Sequence, residues 1–205
     1  MYVSQQIKAS YNKILAKTGG FMLVQTHYHM ARQVHRYIRE KYGLDLCLDL
    51  LEYGSIKPDF MVLRFPAPSH YYETGCDAWL REIRQLQQNE RYGGIKAFSH
   101  KLGVVLHFAA DFFCGAHNYP EIRKSLWAHI NYERRLDQEL SRYIDFPGTC
   151  QLRSNDINIV LEKLRQEYLA SGPGLDKDVY YIYTVLFSLA EQLVEDILFR
   201  AVRAA

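Results

Sequence analysis

Residues 99–119 read SHKLGVVLHFAADFFCGAHNY and place two ionisable side chains, His107 and Asp111, inside an otherwise apolar run. Apolar residues recur here at the three- and four-residue spacing of a helix, and no alternating strand pattern persists along the chain. Residues four apart share one face of a helix, so the two side chains project together. An ionised aspartate among apolar residues is costly unless it is paired or binds a metal. The stretch therefore predicts a buried helix that carries a polar pair.

A second pair with the same spacing, His129 and Glu133, follows on a helix predicted from about residue 121 to residue 143. The apolar residues that share its stripe are Ile122, Leu126, Leu136 and Leu140. His117 lies in the turn between the two helices and can point back into the same space. Two helices that each present a histidine–carboxylate pair to the core suit zinc, and imidazole also accepts other divalent metals.

Helical spacing extends over most of the chain, which predicts an all-α, single-domain helical bundle over residues 1–205. Residues 54–75 are rich in proline and glycine and predict a long ordered loop. The remaining helices are predicted over residues 3–15, 23–42, 44–53, 77–89, 95–114, 154–170 and 176–203, with Ser154 or Asn155 as a cap.

Composition limits the classes of function. The chain has 25 basic and 23 acidic residues, a net charge of +2 that gives no reason to expect a stable nucleic-acid partner. Its apolar runs are too short for a transmembrane segment, which needs about 20 residues. No secretory signal opens the chain, and the four cysteines are scattered. These features predict a cytoplasmic protein with reduced thiols; the alternative is a secreted protein whose signal has been removed.

Five segments in order resemble the zinc-dependent phospholipase C family, which is related to the clostridial alpha-toxin catalytic domain and to single-strand-specific zinc nucleases. The segments are QTHYHMA (25–31), YGSIKPDF (53–60), SHYY (69–72), LGVVLHFAADFFCGAHNY (102–119) and HINYE (129–133). The similarity covers residues 23–140. It implies an all-α bundle with a cluster of three zinc ions at the bottom of a cleft.

The resemblance also implies a ligand set. The first zinc would be held by Asp59, His70, His107 and Asp111, and the second by His117, His129 and Glu133. Asp111 would bridge to a third zinc, together with His27 and the amino end and carbonyl of an N-terminal tryptophan. No tryptophan occurs near the start of this chain, so the expectation is two or three zinc ions.

The function implied is a phospholipase C-like phosphodiester hydrolase whose substrates include phospholipids. We hypothesise that a zinc-bridged hydroxide attacks phosphorus in line and that Asp59 orients or deprotonates that water. Two alternatives stay open at this point. One is a single-strand nuclease or nucleotidase that uses the same zinc cluster, and the other is a non-catalytic, metal-stabilised helical binding protein.

Four further residues are assigned outside the site or left open. His29 is predicted to face away from the His27 stripe, toward solvent or another helix, and His35 to flank the stripe at the surface. His100 lies two turns from His107, about 10 Å along the helix, too far to bind the same ion. Cys114 follows the His107 stripe and is either close to the site or a buried core thiol.

Overall fold

The computed structural model of the protein describes residues 23–61, 69–88, 94–142 and 157–204. Every regular element within these ranges is a helix, which confirms the predicted all-α fold. In chain order the helices are α1 (Leu23–Tyr42), α2 (Leu48–Met61), α3 (Tyr72–Gln88), α4 (Gly94–Phe112), α5 (Gly115–Asn118), α6 (Pro120–Arg123), α7 (Leu126–Arg142), α8 (Ile157–Ser171) and α9 (Leu175–Ala204). The helix predicted over residues 3–15 lies outside the described residues. The same holds for Ser154 and Asn155, the predicted capping residues of the helix over residues 154–170.

Helix α4 occupies the centre of the described bundle, where α1, α2, α3 and α9 pack against it. Between Leu102 and Phe112 all its side chains except Val104 are buried. The Trp79 indole N–H of α3 donates to the Val105 carbonyl at 2.9 Å, so the polar edge of this large ring is satisfied in the core. His107 and Asp111 therefore lie in the middle of the bundle, as their spacing predicts.

The loop predicted over residues 54–75 is wrong at both ends. Helix α2 continues through Pro58 to Met61, and α3 begins at Tyr72. Pro58 removes one helical hydrogen bond, but Ser55, Ile56 and Pro58 are all buried. Packing of α2 on α4 therefore outweighs the poor helix propensity of this segment.

The helix predicted over residues 121–143 is divided in two. Helix α6 ends at Arg123 and α7 begins at Leu126, so the stripe assigned to one helix is interrupted. Leu126 is consequently 77% exposed, whereas Leu136 and Leu140 are buried as predicted. Ile122 is partly buried against the core from its own short helix.

Two glycines allow α2 and α4 to approach closely. A Cβ atom added at Gly103 would lie 2.7 Å from the Ser55 nitrogen and still closer to the Leu51 carbonyl oxygen. A Cβ at Gly54 would overlap the His100 carbonyl oxygen. The backbones of the two helices thus touch where any larger residue would force them apart, and this contact brings the Ser55 carbonyl up to His107.

Replacing Gly103 with alanine is expected to destabilise the protein by about 1–3 kcal/mol, because the added methyl group must push α2 away from α4. At an exposed helical position the same change would stabilise by about 0.5–1 kcal/mol. Urea unfolding followed by circular dichroism measures the difference, with Lys96→Ala at an exposed position of α4 as the control. A Gly103→Ala variant that unfolds at higher urea than the native protein would contradict the close contact.

No described helix combines the length and the low polarity that crossing a bilayer requires.

Candidate metal centre

The structure brings the eight predicted ligand side chains into one connected cluster at the centre of the bundle. They come from α1, α2, the segment before α3, α4, α5 and α7. The histidines are His27, His70, His107, His117 and His129, and the carboxylates are Asp59, Asp111 and Glu133. Chain segments far apart in sequence therefore meet through polar groups inside an apolar core.

Asp111 stands at the middle of the cluster and faces four imidazoles. Its Oδ2 atom lies 2.6 Å from His70 Nδ1 and 3.2 Å from His107 Nε2. Its Oδ1 atom lies 3.3 Å from His27 Nε2 and 3.7 Å from His117 Nε2. Burial favours the protonated acid, but the facing His107 and His117 outweigh it and hold the pKa of this carboxyl well below its usual range. The surrounding imidazoles therefore favour the ionised form of Asp111 in the core.

His107 is oriented by the backbone of α2. Its Nδ1–H donates to the Ser55 carbonyl at 2.8 Å, which leaves the lone pair of Nε2 directed at the cluster. That Nε2 atom lies 3.2 Å from His70 Nδ1 and 3.7 Å from Asp59 Oδ1. A backbone carbonyl that fixes the tautomer and the ring plane is the usual support of a metal-binding histidine. The glycine contact between α2 and α4 thus sets the direction of one predicted ligand.

Asp59 is the most accessible carboxylate of the cluster. Its side chain is 20% exposed, against 7% for Asp111 and 6% for Glu133. Its Oδ2 atom has no hydrogen-bond partner among the described residues. Burial raises the pKa of the Asp59 carboxyl, and the neighbouring His107 offsets part of this rise. Asp59 therefore sits at the edge of the cluster, and its buried Oδ2 atom has no protein partner among the described residues.

Glu133 is the second carboxylate of the cluster that contacts more than one histidine. Its Oε1 atom lies 2.9 Å from His129 Nε2, one turn earlier on α7, and 3.3 Å from His117 Nε2. Burial opposes ionisation of Glu133, but the hydrogen bonds from His117 and His129 outweigh it and lower the pKa of this carboxyl. The Cys114 thiol joins this group: one ligand atom each from Cys114, His117 and Glu133 lie within 4.8 Å of one another.

A buried carboxylate, Asp178, holds the turn that carries His117. It accepts hydrogen bonds from the Gly115 backbone N–H at 2.5 Å, and from the Tyr132 and Tyr168 hydroxyls at 2.9 Å each. Burial raises the pKa of Asp178 to about 6 even though these three donors favour its charged form. No sequence motif points to Asp178, but it lies one helical turn before the buried Ile182, a spacing that places both on the core face of α9.

The contacts can be compared with the ligand sets implied by the resemblance. His70, His107 and Asp111 lie together, and Asp59 adjoins His107 and also groups with His27. His117, His129 and Glu133 lie together, with Cys114 beside them. His27 meets Asp111 at 3.3 Å. The grouping in the structure differs from the implied sets in two respects: His27 groups with Asp59 and His107, and Cys114 lies beside His117 and Glu133.

The three remaining histidines lie outside the cluster. His35 is buried, not at the surface as predicted, because the segment after α1 folds back and its Leu46 carbonyl accepts a hydrogen bond from His35 Nε2 at 3.0 Å. His29 lies 3.2 Å from Asp137 on α7. His100 packs against Tyr53, with the ring centroids 5.5 Å apart.

The donor set fits zinc. Ligand atoms that surround a tetrahedral zinc at about 2.0–2.2 Å lie roughly 3.3–3.5 Å from one another. The separations of 3.2 Å between His107 Nε2 and Asp111 Oδ2, and of 3.3 Å between His117 Nε2 and Glu133 Oε1, come close to that value. The buried atoms His70 Nε2 and Glu133 Oε2 have no hydrogen-bond partner among the described residues. Buried polar atoms left without partners are costly, and bound cations would relieve that cost.

Comparison with known proteins agrees with this chemistry. The sequence profile of the family described as zinc dependent phospholipase C matches residues 26–174. The match covers more than half of the chain, contains every residue of the cluster, and extends past the region of resemblance into α8. No curated protein and no solved structure gives a significant match. Members of the matched family are in general zinc-dependent hydrolases. The chain therefore belongs to the zinc dependent phospholipase C family.

Proposed function

We propose that the protein is a zinc-dependent phosphodiester hydrolase of the phospholipase C type and that the cluster around Asp111 is its active site. The observation that carries the proposal is the convergence of five imidazoles and three carboxylates, from six segments, on one buried position. Structural ion pairs do not need so many groups that can bind the same ion. The family match supports the same conclusion independently of this geometry.

An anionic substrate fits the charge of such a site. Two divalent ions would balance the charges of the three carboxylates and of one bound hydroxide, so the loaded centre accepts an anionic phosphodiester without strong repulsion. Bound zinc would supply a water molecule with a lowered pKa and positive charge for the phosphoryl oxygens. Near the cluster, the Tyr71 ring lies 5.9 Å from the His117 ring, and the exposed Arg123 guanidinium stacks on Tyr71 at 4.7 Å. Arg123 adds a cation that can bind phosphate.

Within this proposal Asp59 orients the attacking water and accepts its proton. It is the only carboxylate of the eight-residue cluster with appreciable side-chain exposure, and its buried Oδ2 atom accepts no hydrogen bond from the described residues, which leaves it available to a water molecule held inside the site. Asp111 and Glu133 hold the imidazoles and have no comparable access. Attack of water on phosphorus would break the bond to the alcohol oxygen. That oxygen takes up a proton from solvent and leaves as an alcohol, Asp59 returns its proton to solvent, and a phosphomonoester remains.

The products that the zinc-loaded protein releases distinguish the candidate functions. We expect the zinc-loaded protein to cleave phosphatidylcholine in mixed micelles into diacylglycerol and phosphocholine. Release of mononucleotides from single-stranded DNA, with a rate that falls steeply as salt rises, would instead favour the nuclease reading. A loaded protein that cleaves neither lipid, nucleic acid nor a chromogenic phosphodiester would favour a metal-stabilised binding protein.

Removing the metal is expected to abolish hydrolysis and lower the melting temperature. At free zinc 100 times the dissociation constant, binding stabilises the folded state by about 2.7 kcal/mol. In a chain of this size each kcal/mol shifts the midpoint by about 2–4 °C, so the loss is roughly 5–10 °C. Calorimetry and activity are measured after dialysis against a chelator and again after zinc is returned. Equal melting temperatures in all three states would argue against a zinc centre.

A further inference from the structure

The thiol of Cys114 lies beside the Glu133 side of the cluster. Cys114 follows α4 in the short segment between Asp111 and His117, and it is only 4% exposed. One ligand atom each from Cys114, His117 and Glu133 lie within 4.8 Å of one another. The ligand set implied by the family resemblance contains no cysteine, so this thiol has no role in it.

Independent features of the same place point to a missing ligand. Glu133 and His117 are 5% and 7% exposed, yet Glu133 Oε2 and His117 Nδ1 have no hydrogen-bond partner among the described residues. A cavity of about 20 Å³, close to the volume of one water-sized sphere, opens between Cys114, Glu133, Asp111 and His27. Glu133, whose Oε2 atom has no partner among the described residues, lines this cavity together with Cys114, and the cavity has room for a bound ion.

We propose that Cys114 binds, as a thiolate, the zinc ion held by His117 and Glu133. Zinc accepts thiolate, imidazole and carboxylate ligands together. Coordination transfers the thiol proton to solvent and involves no change in oxidation state. The inference rests on the proposed function, because it concerns an ion of the same centre, but it concerns the ligands of that ion and not the reaction.

The proposal assigns different tasks to the ion near Glu133 and to the ion near His70, His107 and Asp111. His129 Nε2 lies 2.9 Å from Glu133 Oε1, so Cys114, His117, His129 and Glu133 together can complete four-coordinate zinc. A zinc ion with four protein ligands has the closed shell of a structural site. The open position that a substrate needs would then belong to the ion near His70, His107 and Asp111. In this arrangement Asp59 acts as the base and not as a fourth ligand, and the attacking water is held by that ion alone and does not bridge two zinc ions.

Cobalt replacement tests the proposal in the full-length protein. Apoprotein loaded with Co²⁺ is expected to show a sulfur-to-cobalt charge-transfer band in the near ultraviolet, and Cys114→Ser is expected to lose it. Cys47→Ser and Cys76→Ser, which remove the two other described free thiols, are expected to retain the band. Zinc-edge X-ray absorption of the native protein is expected to show a sulfur neighbour at about 2.3 Å, and this measurement does not depend on any variant folding.

The outcomes separate this inference from the proposed function. Native protein that binds cobalt and zinc without a sulfur signal overturns the role of Cys114 and leaves the hydrolase proposal standing. A charge-transfer band that survives in folded Cys114→Ser assigns the sulfur ligand to another cysteine and also overturns it. Native protein that binds neither metal overturns both proposals.

Discussion

Asp111→Asn is expected to abolish activity and to remove most of the bound zinc. Asp111 is the one side chain whose two oxygens face both sides of the cluster, within 3.7 Å of four imidazoles. Asparagine keeps the shape but loses the negative charge, and its NH₂ group faces imidazoles where an oxygen had been. Breaking a buried charge pair costs about 3–5 kcal/mol, and about 1.4 kcal/mol is a factor of ten. Zinc affinity and turnover should therefore fall by roughly 100- to 1,000-fold or more.

Metal content after gel filtration, zinc titration and steady-state kinetics measure these losses. Asp137→Asn is the matched control, because Asp137 also lies beside a histidine, His29, and accepts from Thr26, but stands outside the cluster. We expect Asp137→Asn to keep native zinc content and turnover. Native zinc content in Asp111→Asn would mean that Asp111 is an ion-pair partner of the histidines and not a shared ligand.

Helical periodicity was sufficient to predict part of the cluster. The spacing of His107 and Asp111, and of His129 and Glu133, places each pair on one helical face, and burial of the apolar residues around them forces that face inward. His27 is identified by the family resemblance, and the stripe that it shares with the buried core of α1 agrees with that assignment. Where local spacing and burial agree, the position of a side chain follows from the sequence.

Asp59 and His70 could not be placed by periodicity, because their positions depend on contacts distant in sequence. Asp59 lies in the part of α2 that continues through Pro58, and this helix persists because Gly54 and Gly103 let it pack on α4. A local pattern of glycine and proline predicts a loop there, and only the resemblance to a family identified the two residues. The break between α6 and α7, before Leu126, is the opposite error, since a continuous helix is predicted there. No glycine or proline marks the break, and apolar spacing continues across it.

Residues in turns were the hardest to predict. The orientation of Cys114 depends on the path of the chain between α4 and α5, and that path depends on Asp178, more than sixty residues later. Periodicity does not describe a non-helical segment, so the sequence left open whether Cys114 reaches the site. The long-range hydrogen bond from the Gly115 N–H to Asp178 fixes the path of this segment and with it the position of Cys114.

Asp59→Asn is expected to reduce kcat by about two to four orders of magnitude, the usual contribution of a positioned general base. The substitution keeps the volume of the side chain and leaves its oxygen near His107, but an amide cannot accept the proton of water. Because Asp59 is the most exposed carboxylate of the cluster and pairs with His107 only at 3.7 Å, we expect the fold, the melting temperature and zinc at the Glu133 side to be preserved.

The zinc dependence of the variant separates a base from a ligand. If Asp59 only helps to hold an ion, Asp59→Asn binds that ion more weakly, and excess zinc restores turnover. If Asp59 accepts the proton, turnover stays low at saturating zinc while KM changes little, because the defect lies in the chemical step. Asp49→Asn, at an exposed position on the first turn of the same helix, controls for changes in α2 and should match the native protein. Near-native kcat in zinc-saturated Asp59→Asn would assign proton transfer to another group, and the free Oδ2 atom would then have no catalytic meaning.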